Sequence, residues 1–334
     1  MIGNYVNGII GMATGVHDIQ KLIERYARTR DLVLVIGETG TGKGKVVEKL
    51  HRRSVELQHP GYGKKFVDVD LGTLDENLVQ SSLFGHLRGA FTSAIAPREG
   101  YLVHAGNGTV YLNEIDSMNL RLQRMLLRAL EERRVYPVGS DDPVDINCRF
   151  IVSSQRKLED LARNGEFRRD LYARVDVLRI DLPPLRDRPN DEIILLASTF
   201  LKEEGKVRGV EGAKFSDDAI EVLVSYHWPT NVRELQGVVV RALVNSDLSQ
   251  EIGPEYITFN PVDQPPPTYT MKLAKPDAQA SPPKLGDRVR DFERGVIIKT
   301  LRKYDGNKAA AARVLGMERS HLHKRMRNLG IIDK

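Results

Sequence analysis

The feature that most constrains this chain is a glycine-rich loop, "GETGTGK", between an apolar run and a helical pattern. The loop reads Gly37-x-x-x-x-Gly42-Lys43. Glycines let successive backbone N–H groups curve around phosphate oxygens, and the N-terminus of the next helix adds a favourable dipole. The lysine reaches the terminal phosphates. A glycine-rich turn with an incidental lysine is the alternative, but the strand before the loop and the helix after it favour a phosphate site.

Short apolar runs alternate with amphipathic stretches as far as about Pro183. We predict buried strands in "DLVLVIG", "KFVDVDL", "GTVYLNE", "CRFIVSSQ" and "VLRIDLPPL". The stretches "VHDIQKLIERYAR" and "RLQRMLLRALEERR" have the spacing of amphipathic helices. Strands that alternate with helices indicate a parallel sheet covered on both faces. The fold class is therefore α/β, with a phosphate loop at one edge of the sheet.

The remainder of the chain reads as helical, with one interruption. Helical spacing runs from about Arg186 to Ile257, and a proline-rich stretch that includes Pro265–Pro267 follows it. Helical patterns return near the C-terminus. We therefore predict an α/β nucleotide-binding subdomain over residues 1–184, a helical subdomain over 185–258, a linker over 259–286 and a small all-α domain over 287–334.

Composition excludes several classes of protein. No run approaches the roughly 18 apolar residues that a transmembrane helix needs, so we expect no membrane partner. The single cysteine, Cys148, cannot form an intrachain disulfide, which fits a cytoplasmic location. The net charge is +5, and basic residues are concentrated near the C-terminus in "RVRDFERGVIIKTLRKY" and "HLHKRMRNL". Clustered positive charge of this kind favours a nucleic-acid partner.

The C-terminal basic stretch has the pattern of a DNA-reading helix. After a turn at Gly306 and Asn307, "KAAAARVLG" reads as a small-residue helix that ends at Gly316. In "ERSHLHKRMRNLG" we expect an apolar stripe of Leu322, Met326 and Leu329. The predicted DNA-contacting residues are Arg319, Ser320, His321, His323, Lys324, Arg325 and Arg327.

Within that helix the expected contacts divide into two kinds. Arg319 and His321, near its start, are expected at base edges, and Lys324, Arg325 and Arg327 at phosphates. The alternative is a solvated basic helix. We discount a metal site at the two histidines, because they are two residues apart and no other ligand is near them.

Six motifs occur in order along the chain: "GETGTGK", "SLFGHLRGAFTSA", "GTVYLNEID", "GEFRRDLYARVDV", "LPPLRDRPND" and "YHWPTNVREL". Together they resemble the AAA+ core of sigma-54-dependent bacterial transcription activators over roughly residues 8 to 245. "GNKAAAARVLGMERSHLHKRMRNLGI" resembles the Fis-type helix-turn-helix that such activators carry.

The resemblance implies cofactors and partners. These are ATP and Mg²⁺, a ring that is usually a hexamer with ATP at subunit interfaces, dimers on upstream DNA, and sigma-54 RNA polymerase. Family members often begin with a sensor domain. This chain begins at the AAA+ core, so it either lacks that domain or is a piece of a longer protein. Without such a domain, the signal would come from a separate regulatory protein acting in trans.

The resemblance also implies roles for individual residues. Glu114 would polarise the attacking water, Arg168 and Arg174 would reach a neighbour's nucleotide, and Arg233 would be the sensor II arginine of the lid. Positioned cations of this kind stabilise the charge that spreads over a transferring phosphoryl group. The residues expected to bind ATP are Gly37, Glu38, Thr39, Gly40, Thr41, Gly42, Lys43, Gly44 and Arg233.

The segment "GAFTSA", Gly89 to Ala94, resembles the loop with which this family contacts sigma-54. Phe91 and Thr92 would make that contact, with Phe91 as an exposed aromatic anchor. Alternatively, Phe91 caps a local core. Two residues depart from the family pattern: Ser93 replaces a glycine, and Leu87 stands where an acid is usual.

Further departures cluster at the expected catalytic centre. Gly44 replaces a Mg²⁺-binding hydroxyl residue, Asn113 replaces the Walker B aspartate, Gln155 replaces the sensor I asparagine, and Asp70 replaces a switch asparagine. Because the exchange at 70 and 113 conserves charge, our hypothesis is that Asp70 supplies the carboxylate missing at Asn113, making both candidate Mg²⁺ ligands. The competing interpretation places Asp70 against Glu114, where two close carboxylates would impair the base.

These observations leave two functions open. The first is an ATP-driven activator that remodels sigma-54 polymerase from an upstream DNA site. The second is a DNA-binding regulator in which nucleotide serves only as an assembly or conformational signal, with weak hydrolysis and no sigma-54 contact. A P-loop kinase is a third and more distant alternative, because Arg168, Arg174 and Arg233 would then have no reason to match.

Overall fold

The computed structural model describes residues 14–57, 62–73, 76–92, 94–259, 297, 300–301, 304, 307–315, 317 and 319–331. The chain divides into two compact units, residues 1–266 and 267–334, which are considered separately below. Ser93, Gly306, Gly316 and almost all of the predicted linker at 259–286 lie outside the described residues. Among those described, no helix combines the length and apolar character needed to cross a bilayer.

The first unit is built on a five-stranded parallel sheet. The strands of this unit are β1 (Val33–Ile36), β2 (Phe66–Asp70), β3 (Thr109–Asn113), β4 (Arg134–Val135), β5 (Val144–Asp145), β6 (Arg149–Ser154), β7 (Leu178–Asp181), β8 (Lys214–Phe215) and β9 (Glu251–Ile252). The large sheet has the order β2-β3-β6-β1-β7, while β4 pairs with β5 and β8 with β9. All five predicted strands form this sheet, so the parallel α/β prediction is confirmed.

Helices follow and cover the strands. They are α1 (Thr14–Tyr26), α2 (Lys43–Glu56), α3 (Glu76–Phe84), α4 (Tyr101–His104), α5 (Leu120–Glu132), α6 (Leu158–Asn164), α7 (Arg169–Val175), α8 (Asn190–Arg208), α9 (Asp217–Ser225) and α10 (Asn231–Asn245). Three single 3₁₀ turns are at Ile115–Ser117, Leu185–Asp187 and Pro254–Tyr256.

Burial explains why the central strands read as continuous apolar runs. Every residue of β1 and of β6 is buried, because one apolar cluster with α1 and α2 covers one face of the sheet and a larger cluster with α3 to α7 covers the other. The edge strand β2 alternates instead. Val67 and Val69 face the larger cluster, and Phe66 faces the α1–α2 side. By the same alternation, Asp68 and Asp70 share the face of Phe66.

The helices α8, α9 and α10 form a second core within this unit. Trp228 is fully buried at its centre, and its indole N–H donates to the Leu223 carbonyl at 3.0 Å. Ser216 begins α9 as an N-cap, since its hydroxyl accepts from the backbone N–H of Ala219 at 3.2 Å. This bundle is the helical lid that the sequence predicts beside the sheet.

In the second unit the described residues include α11 (Lys308–Val314) and α12 (Arg319–Asn328). Asn307 caps α11, because its side-chain oxygen accepts from the backbone N–H groups of Ala309 and Ala310. Ala311 and Ala312 pack closely against Leu322 and Met326 of α12. The small-residue helix and the helix of the basic stretch therefore pair as a helix-turn-helix.

Candidate functional site

The phosphate loop lies between β1 and α2 and packs directly against the lid. Gly40 has a φ of +77°, and a Cβ at this position would lie 2.1 Å from the Thr230 carbonyl oxygen. The backbone N–H of Val232 donates to the Gly40 carbonyl at 3.0 Å. Position 40 therefore needs a glycine both for its backbone conformation and for the close approach of the lid.

Lys43 begins α2 and is almost fully buried within the loop. Its ammonium donates to the carbonyl oxygens of Gly37 at 2.7 Å and of Glu38 at 3.2 Å. Burial lowers the pKa of Lys43, and the nearby carboxylates of Glu114 and Asp116 act in the opposite direction. The charge is held at the centre of the loop, where a phosphate ligand would be surrounded by backbone N–H groups.

A cavity of about 790 Å³ opens over the phosphate loop at the carboxyl edge of the sheet. This volume lies within the range of ligand-binding clefts. The expected ATP-binding residues that line the cavity are Thr39, Gly40, Thr41, Gly42, Lys43, Gly44 and Arg233. Asn113, Glu114 and Gln155 also line it. The structure thus brings together residues that are far apart in sequence.

Gly37 and Glu38 are not among the residues that line this cavity. The Glu38 carboxylate instead forms a bidentate ion pair with Arg186 and accepts from the side-chain amide of Asn231 at 3.2 Å. The Arg186 hydrogen bonds, followed by that of Asn231, lower the pKa of Glu38. Glu38 therefore joins the phosphate loop to the lid.

Two further residues of this junction were not predicted from the sequence. Arg188 is buried, pairs with Glu192 at 3.1 Å and donates to the Thr41 carbonyl at 3.1 Å. Asn231 has a φ of +56°, donates to the Thr39 carbonyl at 2.9 Å and accepts from the backbone N–H of Leu185 at 2.7 Å. Both lie in quoted motifs, but only the three-dimensional contacts show that they hold the loop against the lid.

Asn113 and Asp70 end neighbouring strands and are register partners in the sheet. The Asn113 Oδ1 accepts from the hydroxyls of Tyr111 at 2.9 Å and of Ser153 at 2.7 Å. The Asp70 Oδ1 accepts from the backbone N–H of Gly72 at 3.1 Å, which forms a local turn. Asp70 does not line the cavity, whereas Asp68, two residues earlier, does.

Asp68 is a site residue that sequence reasoning missed. Burial, and to a smaller extent the negative charge of Asp70, raise the pKa of the Asp68 carboxyl. The alternation in "FVDVD" could have indicated it, because residues 68 and 70 lie on the same face of an edge strand.

Glu114 follows β3 in a left-handed backbone conformation with a φ of +62°. A non-glycine residue in this region is uncommon, and such residues cluster at functional sites. One carboxylate oxygen accepts from the side-chain amide of Gln155. The other lies 2.4 Å from where a Cβ on Gly72 would be, so a side chain at position 72 would displace this carboxylate oxygen.

Arg168 and Arg174 do not line this cavity. Arg168 is the N-cap residue of α7 and forms a bidentate pair with Asp170 at 2.6 and 3.0 Å. Arg174 is exposed at the end of α7 and donates to the Leu130 carbonyl at 3.3 Å. Within one chain, the structure does not bring these arginines to the phosphate loop.

The "GAFT" segment forms a short exposed loop next to His86. Phe91 is 36% exposed, and its ring packs edge-on against the His86 ring with centroids 4.9 Å apart. Thr92 is exposed beside it. His86 is fixed in turn by the Ser81 hydroxyl at 2.7 Å and the Ala96 carbonyl at 3.0 Å. Phe91 combines the two alternatives, since its ring packs against His86 while about a third of the residue remains exposed.

In the second unit α12 separates an apolar side from a basic side. Leu322 and Met326 are buried and Leu329 is partly buried, as the predicted stripe requires. The exposed residues are Arg319, Ser320, His321, His323, Lys324, Arg325 and Arg327. The structure therefore places every predicted DNA-contacting side chain on the accessible side of the helix.

A phosphate loop at the carboxyl edge of a β2-β3-β6-β1-β7 parallel sheet, closed by a helical bundle, defines an ATP-binding AAA+ domain. The family model described as the sigma-54 interaction domain matches residues 9–181. The AAA+ ATPase lid domain matches residues 186–269, and the bacterial regulatory protein Fis family matches residues 288–329. The chain belongs to the family of sigma-54-dependent transcription activators.

Similar proteins agree with this assignment. The chain is 35% identical to the DNA-binding transcriptional regulator NtrC of Proteus hauseri over 98% of its own length and 71% of that relative. It is 37% identical to the nitric oxide reductase transcription regulator NorR2 of Cupriavidus necator, covering 98% of this chain but 64% of the relative. The chain thus spans less than two thirds of the length of some relatives that it matches.

Comparison with solved structures shows that the fold is similar as well. The crystal structure of NtrX from Brucella abortus in complex with ATP matches 97% of this chain and 70% of that chain, with a TM-score of 0.67 and 27% identity. The ADP complex of the same protein matches with a TM-score of 0.68.

Proposed function

We propose that this protein is an ATP-driven transcription activator that binds upstream DNA and remodels sigma-54 RNA polymerase. The observation that carries the proposal is the convergence of Lys43, Glu114, Gln155 and Arg233 on one cavity. This set supplies a phosphate-binding cation, a carboxylate for the attacking water, a polar amide and a cation from the lid. Together they are the groups that phosphoryl transfer from ATP to water requires.

Nucleotide binding would use the phosphate loop and the lid together. Backbone N–H groups from Gly40 to Gly44 would contact phosphate oxygens, and Lys43 would exchange its contacts with loop carbonyls for the terminal phosphates. Arg233 adds a cation from α10 of the lid. Because Glu38 and Asn231 already join loop and lid, nucleotide contacts on one wall would be transmitted to the other.

The oxygen atoms at the sheet edge fit Mg²⁺ in part. Among the described residues, no group of three or more His, Cys, Asp or Glu converges as a preformed metal site. Mg²⁺ usually keeps several waters and binds through one or two carboxylates plus substrate phosphates, so a preformed cage is not needed. Asn113 and Asp70 are the ligands predicted from the sequence, and Asp68 of β2 is a further carboxylate that lines the cavity beside Glu114. The ion would neutralise phosphate charge.

Hydrolysis would use Glu114 to orient the attacking water and accept its proton. Arg168 and Arg174 lie outside the cavity of their own chain, which supports a role in a neighbour's site. A repeated head-to-tail contact of this kind closes into a ring, for which the family implies a hexamer. The catalytic site would then be complete only in the assembly.

The second unit would bind DNA as a dimer on two-fold symmetric half-sites. Arg319→Ala should remove preference at one base position in each half-site, because its planar fork suits guanine O6 and N7. Lys324→Ala should weaken binding to all DNA sequences about equally. It should also reduce the slope of log affinity against log salt concentration by roughly one. Titrations of the full chain on operator and scrambled DNA at several salt concentrations measure both. An equal loss on both DNAs for Arg319→Ala would contradict base reading.

The remaining parts of the proposal concern partners and organisation. Phe91 and Thr92 would contact sigma-54, since the loop exposes both side chains. Residues 1–184, 185–258, 259–286 and 287–334 would act as sheet subdomain, lid, linker and DNA-binding domain. The protein would work in the cytoplasm and would receive its signal either from a further domain or from a regulatory protein in trans.

The alternative function is a DNA-binding regulator in which nucleotide controls assembly only. Gly44 and the side-chain amide at Asn113 favour it, because both usual Mg²⁺ ligands are absent from their positions. Steady-state ATPase assays with and without DNA, over a range of protein concentrations, separate the two. A specific rate that rises with concentration supports the activator. ATP-dependent assembly without turnover supports the alternative.

A further inference from the structure

Gln155 lines the nucleotide cavity. It follows β6, which lies between β3 and β1 in the sheet. The phosphate loop follows β1 and Glu114 follows β3, so a side chain at the end of β6 lies between them. The backbone N–H of Gln155 is held by the Asp116 carboxylate at 3.3 Å. Its position is therefore fixed by the neighbouring strand end before any side-chain contact is considered.

The side chain of Gln155 contacts both neighbours. Its Oε1 accepts from the hydroxyl of Thr39 in the phosphate loop, and its Nε2 donates to the carboxylate of Glu114. An ionised carboxylate can only accept, so the amide must present its NH₂ group to Glu114 and its oxygen to Thr39. The chemistry of the two partners thus fixes the orientation of the amide.

Asp70 cannot supply such a donor. Its Oδ1 accepts from the backbone N–H of Gly72, and an ionised carboxylate has no hydrogen to give to Glu114. In the part of the chain that the structure describes, the side-chain donor to the Glu114 carboxylate is Gln155. An amide at position 70 would reach Glu114 from strand β2, whereas here the amide reaches it from β6.

We propose that Gln155 is a positioning residue that holds the Glu114 carboxylate and links it, through Thr39, to the phosphate loop. The proposal rests on the proposed ATP hydrolysis. Because Thr39 lines the cavity, a change in loop conformation on nucleotide binding would be passed directly to the base. Glu114 would then be oriented for the attacking water only when the loop holds phosphate.

The first test measures kcat and KM for ATP of the full chain, with Gln155→Ala, Gln155→Glu and the control Gln250→Ala. Gln250 is an exposed glutamine of the lid. Loss of a hydrogen bond to a charged group predicts that Gln155→Ala lowers kcat by about tenfold to a hundredfold, with KM within about threefold.

Gln155→Glu should be at least as impaired, since it places a second carboxylate against Glu114. Gln250→Ala should match the wild type. An unchanged kcat for Gln155→Ala, beside an active wild-type protein, would overturn the proposal. An inactive wild-type protein that still binds a fluorescent ATP analogue would instead contradict the proposed hydrolysis.

A mutant cycle adds a readout that a general structural role would not change. Gln155→Ala is compared in the wild-type background and in the Asp70→Asn/Asn113→Asp background, which offers an amide to Glu114 from β2. In the wild-type background Gln155→Ala should lower kcat by about tenfold or more. In the second background the loss should be about threefold or less, because the amide introduced by Asp70→Asn can donate to Glu114 in place of Gln155. Equal losses in both backgrounds would contradict the positioning role.

Discussion

The two halves of the nucleotide cavity differ in how closely their residues follow the family pattern. The loop half, Gly37–Gly44 with its lid contacts, follows the phosphate-loop pattern except at Gly44, and local backbone geometry largely determines it. The sheet-edge half, consisting of Asp68, Asp70, Asn113, Glu114 and Gln155, departs from its family pattern at three positions. Backbone N–H groups hold phosphate in the first half, whereas side chains from three strands must cooperate in the second. Substitution is therefore easier to compensate at the sheet edge.

The largest effect is expected on ATP affinity, from a substitution in the loop half. Lys43→Ala removes the buried ammonium at the centre of the loop and should weaken ATP binding by at least about a hundredfold, the scale of a lost charge-assisted contact. Titration with a fluorescent ATP analogue measures this. Arg52→Ala, an exposed cation on the same helix, is the matched control and should bind normally. DNA binding should be retained by Lys43→Ala. Unchanged ATP affinity in that variant would place the nucleotide elsewhere.

The next effect tests whether the sheet-edge half needs a second chain. Glu114→Gln and Arg174→Ala should each be nearly inactive alone. If the arginine completes a neighbour's site, an equal mixture should recover roughly a quarter of wild-type ATPase activity, because about one interface in four then pairs an intact glutamate with an intact arginine.

The control for this experiment is each variant mixed with itself at the same total concentration. Sedimentation with and without ATP should show larger species with nucleotide. Mixtures no more active than the sum of their parts, together with monomers under both conditions, would contradict the shared site.

A smaller effect, on the ATPase rate, should distinguish the acidic residues of the sheet-edge half. Removing a carboxylate near Mg²⁺ loses on the order of 4 kcal/mol of gross attraction at 4 Å and an effective dielectric of ~20, and desolvation offsets much of this. We expect Asp70→Asn to lower the ATPase rate and Asp70→Asn/Asn113→Asp to restore part of it. No gain in the double variant would contradict compensation by Asp70.

Asp68→Asn completes that comparison. Asp68 faces the cavity, so this variant should raise the Mg²⁺ concentration for half-maximal rate by about threefold to tenfold. Protons should also compete with the cation at higher pH than for an ordinary carboxylate, because the pKa of Asp68 is raised. Asp142→Asn, an exposed acid outside the cavity, is the matched control. An unchanged Mg²⁺ dependence for Asp68→Asn would leave Asp70 as the candidate ligand.

The smallest effect concerns a buried contact between α2, the helix that follows the phosphate loop, and the amino-terminal ends of β2 and β3. His51 on α2 contacts the Thr109 hydroxyl at 2.9 Å and the Lys64 carbonyl at 3.2 Å. Burial lowers its pKa, so on acidification the unfolded chain binds a proton that the folded chain does not. The stabilisation is complete above the unfolded pKa of about 6.5 and is lost progressively as the pH falls below it.

We therefore expect the free energy of unfolding to fall by on the order of 1 kcal/mol between pH 7.5 and pH 5.5 from His51 alone. Urea titrations followed by circular dichroism at both pH values measure it. His51→Gln should show a smaller pH dependence, and His227→Gln, an exposed histidine, should not differ from the wild type. Equal pH dependence in both variants would argue against His51 as the source.

Much of the fold could be predicted from the sequence, because buried strands and helices show a regular pattern of apolar residues. The strands of the large sheet read as apolar runs, since helices cover both of its faces, and Gly40 and Lys43 were assigned from one short loop. On α12 the spacing of Leu322 and Met326 indicated which side packs and which side faces solvent. In each case the pattern that indicates the feature lies within a short stretch of consecutive residues.

Only the tertiary structure decided how the sheet-edge half is arranged. Asp70 was predicted as a ligand because it ends β2, yet its carboxylate accepts from Gly72 while Asp68 faces the cavity. Gln155 was recognised only as a departure from a pattern, and its contacts with Thr39 and Glu114 join residues that are 116 and 41 positions away in sequence. A sequence fixes which side chains end each strand. Their pairing depends on strand order and on the backbone turn after each strand, and these are properties of the folded chain.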